Sequence, residues 1–133
     1  MNMYIRTIIL LLTLSLSIAV IYGQQARNTL EGTWEGPLVL GRDNMSMALT
    51  FSFDNEEYSA TLTSAGLGLY GLPVTRTEVT GRRIVIRIPR LDLVFSGTMR
   101  NDEKEQIQRI DGEWFQHSEM VPVILKPVES PSF

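Results

Sequence analysis

The feature that most constrains this chain is hydrophobic alternation with a period of two, sustained over most of its length. Met45, Met47, Leu49, Phe51 and Phe53 alternate with Ser46, Ala48, Thr50 and Ser52. Successive side chains of a strand point to opposite faces, so such a segment buries one face and wets the other. Tyr58, Ala60 and Leu62 continue the pattern against Ser59, Thr61 and Thr63. Ile84, Ile86 and Ile88 alternate with Val85 and Arg87, and Leu91, Leu93 and Phe95 with Asp92, Val94 and Ser96, before Val121, Val123 and Leu125 close the series. The alternation predicts eight strands, at about 32–40, 45–53, 58–63, 74–80, 83–88, 91–99, 107–115 and 120–126. Turn-forming residues separate them at 41–44, 54–57, 81–82, 89–90, 101–105 and 116–119. No segment carries an apolar stripe at helical period. Short, even spacing predicts an up-and-down meander, and an open meander exposes two unpaired edges. The expected fold is therefore all-β: a closed eight-stranded antiparallel barrel of the lipocalin or avidin kind.

Three glycines inside strands agree with closure. Gly36 lies two residues after Trp34, Gly97 two after Phe95, and Gly112 two before Trp114, each on the face of its aromatic neighbour. A glycine there lets a strand bend sharply or makes room for a facing ring.

The amino terminus places the fold. Residues 8–21 form an apolar run of 14, broken only by Thr13, Ser15 and Ser17, between Arg6 and the small residue Gly23. That layout predicts a secretory signal peptide over 1–23. A membrane span needs roughly 20 apolar residues, so no stable span is expected after cleavage, and the protein is expected to be exported to the periplasm or the cell exterior. A polar linker follows at 24–29, the barrel domain at 30–127 and a proline-containing tail at 128–133. About 110 residues suffice for one domain with one core. Cleavage removes Arg6 and leaves 11 basic against 15 acidic residues, a balance that argues against nucleic-acid binding. There is no cysteine, so apolar burial and strand pairing must supply stability without disulfides.

Several short pieces occur in a telling order: Gly32-Thr33-Trp34-Glu35-Gly36-Pro37-Leu38, Thr61-Leu62-Thr63-Ser64, Gly71-Leu72-Pro73-Val74, Phe95-Ser96-Gly97, Asp111-Gly112-Glu113-Trp114 and Val121-Pro122-Val123-Ile124-Leu125-Lys126. Together, over 30–128, they resemble the small N-terminal β-domain that precedes the catalytic domain of many secreted bacterial α/β-hydrolases. The resemblance implies a lipocalin- or avidin-like barrel that assists a hydrolase. Two departures stand out. The family's loop before Gly-Ile-Pro carries Ser-Pro, a polar residue and Gln-Gly, whereas this chain has Ser64-Ala65-Gly66-Leu67-Gly68. Residues 126–131 look like the start of the family's proline-rich linker, yet the chain ends at Phe133 without a hydrolase domain. It reads as a free-standing module or the remnant of a longer gene.

Catalytic material is sparse. The chain has no Gly-x-Ser-x-Gly elbow to present a nucleophilic serine, and its single histidine, His117, falls in a polar turn. Asp54, Glu56, Glu57, Asp102, Glu103 and Glu105 fall in turns, and Glu35, Asp111 and Glu113 alternate with core residues and should point outward. One histidine and no cysteine leave little for a metal site. We expect no enzyme activity, no cofactor and no metal.

Three features suit binding instead. Met45, Met47, Leu49, Phe51, Tyr58, Leu62, Ile84, Ile86, Leu93 and Phe95 should line the barrel, either filling it or leaving an apolar cavity for one small ligand. In the loop 64–73, Leu67, Leu69, Tyr70 and Leu72 stand among glycines, too apolar for an idle connection. They form either a plug over one barrel end or a lid and contact surface. Arg76, Arg82, Arg83, Arg87 and Arg90 cluster in an otherwise acidic chain, as a solvated outer face or as a basic patch for an acidic glycan, lipid headgroup or partner. The expected function is a non-catalytic accessory module with a protein partner such as a secreted hydrolase. The alternative is a carrier of a small apolar ligand.

Overall fold

The computed structural model describes residues 26–133. The expected signal peptide and the first two linker residues lie outside that range. Nine antiparallel strands form the fold: β1 (Gly32–Leu40), β2 (Asp43–Asp54), β3 (Glu57–Ser64), β4 (Leu69–Pro73), β5 (Arg76–Thr80), β6 (Arg83–Ile88), β7 (Leu93–Asn101), β8 (Ile107–Gln116) and β9 (Glu119–Val128). Two single 3-10 turns, Ala65–Leu67 and Pro89–Leu91, are the described helical segments.

Four of the hairpins turn through two residues, which pins their register. Leu40 pairs with Asp43, Asp54 with Glu57, Thr80 with Arg83 and Gln116 with Glu119. Both central residues have positive φ at Asn55-Glu56 and again at His117-Ser118, the backbone that suits the right-handed twist of a hairpin. His117 thus occupies a turn position.

The strands run in the order β4-β3-β2-β1-β9-β8-β7-β6-β5. First and last strands meet where Thr33, Trp34 and Glu35 pair with Val128, Pro127 and Lys126. The sheet curls into a half-barrel rather than the closed eight-stranded barrel expected from the alternation, and its break lies between β4 and β5. The reason is local. Pro73 ends β4 opposite Thr61 and has no N–H to extend the ladder. Beyond it Val74 N–H still donates to Ala60 C=O at 3.0 Å, but Thr75 N–H already turns to Arg87 C=O at 3.1 Å. One continuous stretch therefore leaves β3 and joins β6.

Inside the curl a single apolar cluster gathers residues from both arms. Trp34, Leu38, Met47, Leu49, Phe51 and Leu62 come from one arm, and Ile84, Ile86, Leu93, Phe95, Ile110 and Trp114 from the other. Met45 and Tyr58, expected inside, are half-buried at its margin. Both indoles are satisfied: Trp34 Nε1 donates to Leu30 C=O at 2.8 Å and Trp114 Nε1 to Gln116 Oε1 at 3.3 Å. Gly97 faces Gly112 across β7 and β8, and a Cβ on Gly112 would lie 2.4 Å from the Phe95 ring, so the expected ring–glycine packing holds there. At Gly36 the crowding group is instead the carbonyl of Ile124 on β9, at 2.0 Å from an added Cβ.

Arg27, in the stretch expected as a linker, pairs with Ile107 through backbone hydrogen bonds. Its guanidinium donates to the Val128 and Glu31 carbonyls and lies 5.7 Å from the Trp34 ring centre. In the tail, Ser132 donates from its N–H and its hydroxyl to Glu35 at 2.7 and 2.8 Å.

Candidate functional site

The loop expected at 64–73 is largely a strand. Gly68 adopts positive φ after the 3-10 turn and sends the chain back along β3 as β4. Leu72 pairs with Leu62 and Leu69 with Ser64, so two residues oppose one and the register shifts in a bulge. The bulge turns Leu69 and Leu72, three apart, to the same inner side, where they pack with Leu67 against the core. Gly71 sits in the bulge at φ +61° and its N–H donates to Thr63 Oγ1 at 2.9 Å. Tyr70 points away and is 72% exposed. The four residues thus divide into three packing leucines and one free tyrosine. Leu67→Ala should lower stability by about 1–2 kcal/mol, since only part of its side chain is buried. Tyr70→Ala should leave the thermal midpoint in place, and parallel melts of the two variants check both.

The five arginines spread along the β5–β6 hairpin and past its end. Arg82 lies in the turn, 4.0 Å from Glu105, and Arg90 lies in the 3-10 turn at the far end. Arg76 and Arg87 are cross-strand partners, and Arg76 is held by Glu78 at 2.7 Å. Arg83 stands four residues from Arg87 on the same outer face, all of them exposed.

Pairing extends that face into a surface the alternation did not flag. The rung that begins at Arg76 and Arg87 continues through Val94 on β7 and Phe115 on β8 to Met120 on β9. Strands lie about 4.8 Å apart, so five of them span about 19 Å. Phe115 is 45% exposed and Met120 61%, and Ile124, outward on β9 beyond Pro122, is 50% exposed. Ser96 and Thr98 leave a shallow depression between this rung and a charged cluster. There Arg100 and Arg109 face each other across β7 and β8 and share Asp111, at 3.0 and 2.8 Å. The Arg109 hydrogen bond, then Arg100, holds the Asp111 carboxyl below the ordinary aspartate range. A depressed folded-state value means that this contact contributes at neutral pH and fades as acid protonates the carboxylate.

His117 Nδ1 lies 3.6 Å from Asp92 Oδ2, with both side chains about three-quarters exposed, so this pair has no enclosed site around it. Among the described residues no group of three ligating side chains could hold a metal ion, and no helix is long and apolar enough to cross a membrane.

Fold and surface together define an all-β half-barrel with a packed interior and a partly apolar outer face. Comparison with protein-family models, curated proteins and solved structures returned no match.

Proposed function

We propose that the chain is a non-catalytic, exported interaction module that docks a protein partner through the outer face of β7, β8 and β9. The observation that carries this reading is the outer rung on which exposed Phe115 and Met120 continue from half-buried Val94, with exposed Ile124 beyond it. The outer side of a half-buried sheet is ordinarily polar, and contiguous exposed apolar groups rimmed by charge mark contact sites. Arg76 and Arg87 at the end of the rung suit a partner whose apolar patch is bordered by carboxylates. The resemblance to the β-domain of secreted α/β-hydrolases makes such a hydrolase the first partner to test.

A photo-crosslinking residue at Phe115, followed by mass spectrometry of the trapped species, tests this. A hydrolase crosslinked in the wild-type background and lost in Met120→Lys supports it. Both side chains are exposed, so Met120→Lys should leave the melting temperature near that of the parent. Crosslinking to no protein overturns the reading. Trp34, Trp114, Phe51 and Phe95 occupy the space inside the curl, so the carrier reading has no specific observation in its favour.

A further inference from the structure

We propose that a basic stripe across the outer face, running from Arg83 through Arg100 and Arg109 to Lys126, binds the charged groups of an acidic polysaccharide. From Phe115 to Arg109 is about 20 Å along β8, so the stripe lies at the far end of the face from the Phe115–Met120 rung. The inference does not depend on a protein docking at that rung.

Strand pairing builds the stripe. Two rungs beyond Arg87, the outward positions are Arg83, Thr98, Asp111 and Ile124 on β6 to β9. On the next rung Arg100 stands directly opposite Arg109, and Lys126 follows on β9, one residue past the Ile110–Leu125 pair. Three strand spacings separate Arg83 from Lys126, about 14 Å. Arg83, Arg100 and Arg109 border one shallow depression together with Ser96 and Thr98.

The charge of the stripe is under-compensated. Like charges directly opposite each other weaken a sheet, and Arg100 and Arg109 share Asp111 alone, at 3.0 and 2.8 Å. Among the described residues Arg100 donates only through Nε, which leaves its two terminal nitrogens for another acceptor. Arg83 and Lys126 have no ion pair among those residues. Glu35, the cross-strand neighbour of Lys126, is bonded instead to the N–H and hydroxyl of Ser132. The acids of the turn after Arg100 are also placed elsewhere. Asp102 accepts from the N–H groups of Lys104 and Gln106, Glu105 lies 4.0 Å from Arg82, and Glu103 borders a different depression with Gln106 and Gln108.

The whole molecule shows the same bias. The outward positions of β5 to β9 hold six basic residues, these four with Arg76 and Arg87, against Glu78, Asp111 and Glu113. The rest of 26–133 holds five basic residues against twelve acidic. A chain that is acidic overall thus gathers positive charge on one face, the pattern that steers an anionic ligand to one place.

Shape and side-chain chemistry select the occupant. The face is the outer side of a curled sheet, so Arg83 and Lys126 diverge, which suits a chain that bends around the face better than a flat lipid surface. No aromatic residue lies on the two rungs of the stripe, so unpaired bases have nothing to stack on. A sugar chain bearing carboxylate or sulfate groups can follow the curve and accept from the guanidinium donors in turn.

The test uses the mature chain and three labelled glycans of matched length: polygalacturonate, which carries carboxylates, dextran sulfate, and uncharged dextran. Fluorescence anisotropy should show saturable binding of at least one acidic glycan, weakening with salt, and none of dextran. Which acidic glycan binds tells carboxylate from sulfate. Arg100→Gln with Arg109→Gln should weaken binding at least about tenfold. Arg83→Gln with Lys126→Gln should do the same and gives a second reading should the first variant unfold. Arg42→Gln with Arg90→Gln removes equal charge away from the stripe and should leave binding within about twofold. Met120→Lys, which tests the docking rung, should also leave it unchanged, so the two readings fail separately. No saturable binding of either acidic glycan, or an equal loss in the Arg42 and Arg90 variant, overturns the proposal. Tighter binding to phosphatidylglycerol vesicles or to an oligothymidylate overturns it as well.

Discussion

Replacing Trp34 with alanine is expected to cost about 3–5 kcal/mol, the range for a fully buried large aromatic. Trp34 is 0% exposed, bonds Leu30 through its indole and lies beneath the Arg27 guanidinium, so truncation removes packing, a satisfied donor and a cation–π contact together. A domain of this size holds about 5–15 kcal/mol in total, which leaves the variant marginal or unfolded. Thermal melting checks it: the midpoint should fall by at least about 12 °C. A Trp34→Ala protein that melts with the parent means the inner phase of β1 is misassigned.

Gly36→Ala is expected to rival that loss although it adds only one methyl group. The new Cβ would lie 2.0 Å from the Ile124 carbonyl oxygen and 2.9 Å from its carbon. That obstacle is the backbone of β9, which cannot swing aside as a side-chain end can. Relief requires β9 to move off β1, and the two strands share only three paired positions, at Thr33, Trp34 and Glu35. Overpacking usually costs about 1–3 kcal/mol, and a backbone obstacle puts this case at the top of that range or above it. Gly41→Ala is the control, since its turn has no atom within 4 Å of an added Cβ and only its positive φ resists substitution. Urea melts should rank Gly36→Ala well below Gly41→Ala.

Much of the sheet was legible because alternation and turn chemistry agreed. β1 and β6 fall on the expected residues, β2, β3, β8 and β9 run one or two residues further, where pairing outlasts the apolar pattern, and β5 and β7 begin two residues later than expected. β4 was not legible. Its half-buried Leu69 and Leu72 are three apart, and a bulge brings them to one side, so neither a period of two nor a helical stripe could register. Closure was misjudged for a related reason. Edge avoidance argues for a ring in general, but Pro73 and the switch of Val74 and Thr75 between two neighbours open this one.

Of the candidate residues, Leu67, Leu69 and Leu72 belong to packing, and the arginines mark the rim of a larger surface. Phe115, Met120 and Ile124 were passed over because the inner phase of β8 and β9 was already accounted for by Trp114, Val123 and Leu125. The usable signal was that β9 is apolar in both phases at 120–125, which a strand with one wet face need not be.

The meeting of β1 with β9 also governs the order in which the chain can assemble. The other neighbouring strands follow one another directly in the chain, so each can zip from its own turn as soon as it exists. Thr33 and Val128 must instead find each other across nearly the whole domain. Loop-closure entropy grows by roughly 0.6 kcal/mol for each doubling of the closed length, and distant contacts of this kind slow folding. β1 to β4 and β5 to β9 thus form two arcs that can organise separately. Their docking along the short ladder at Thr33, Trp34 and Glu35 closes the longest loop in the sheet and is expected to be the slowest step of folding, which stopped-flow refolding of a variant at Thr33 checks.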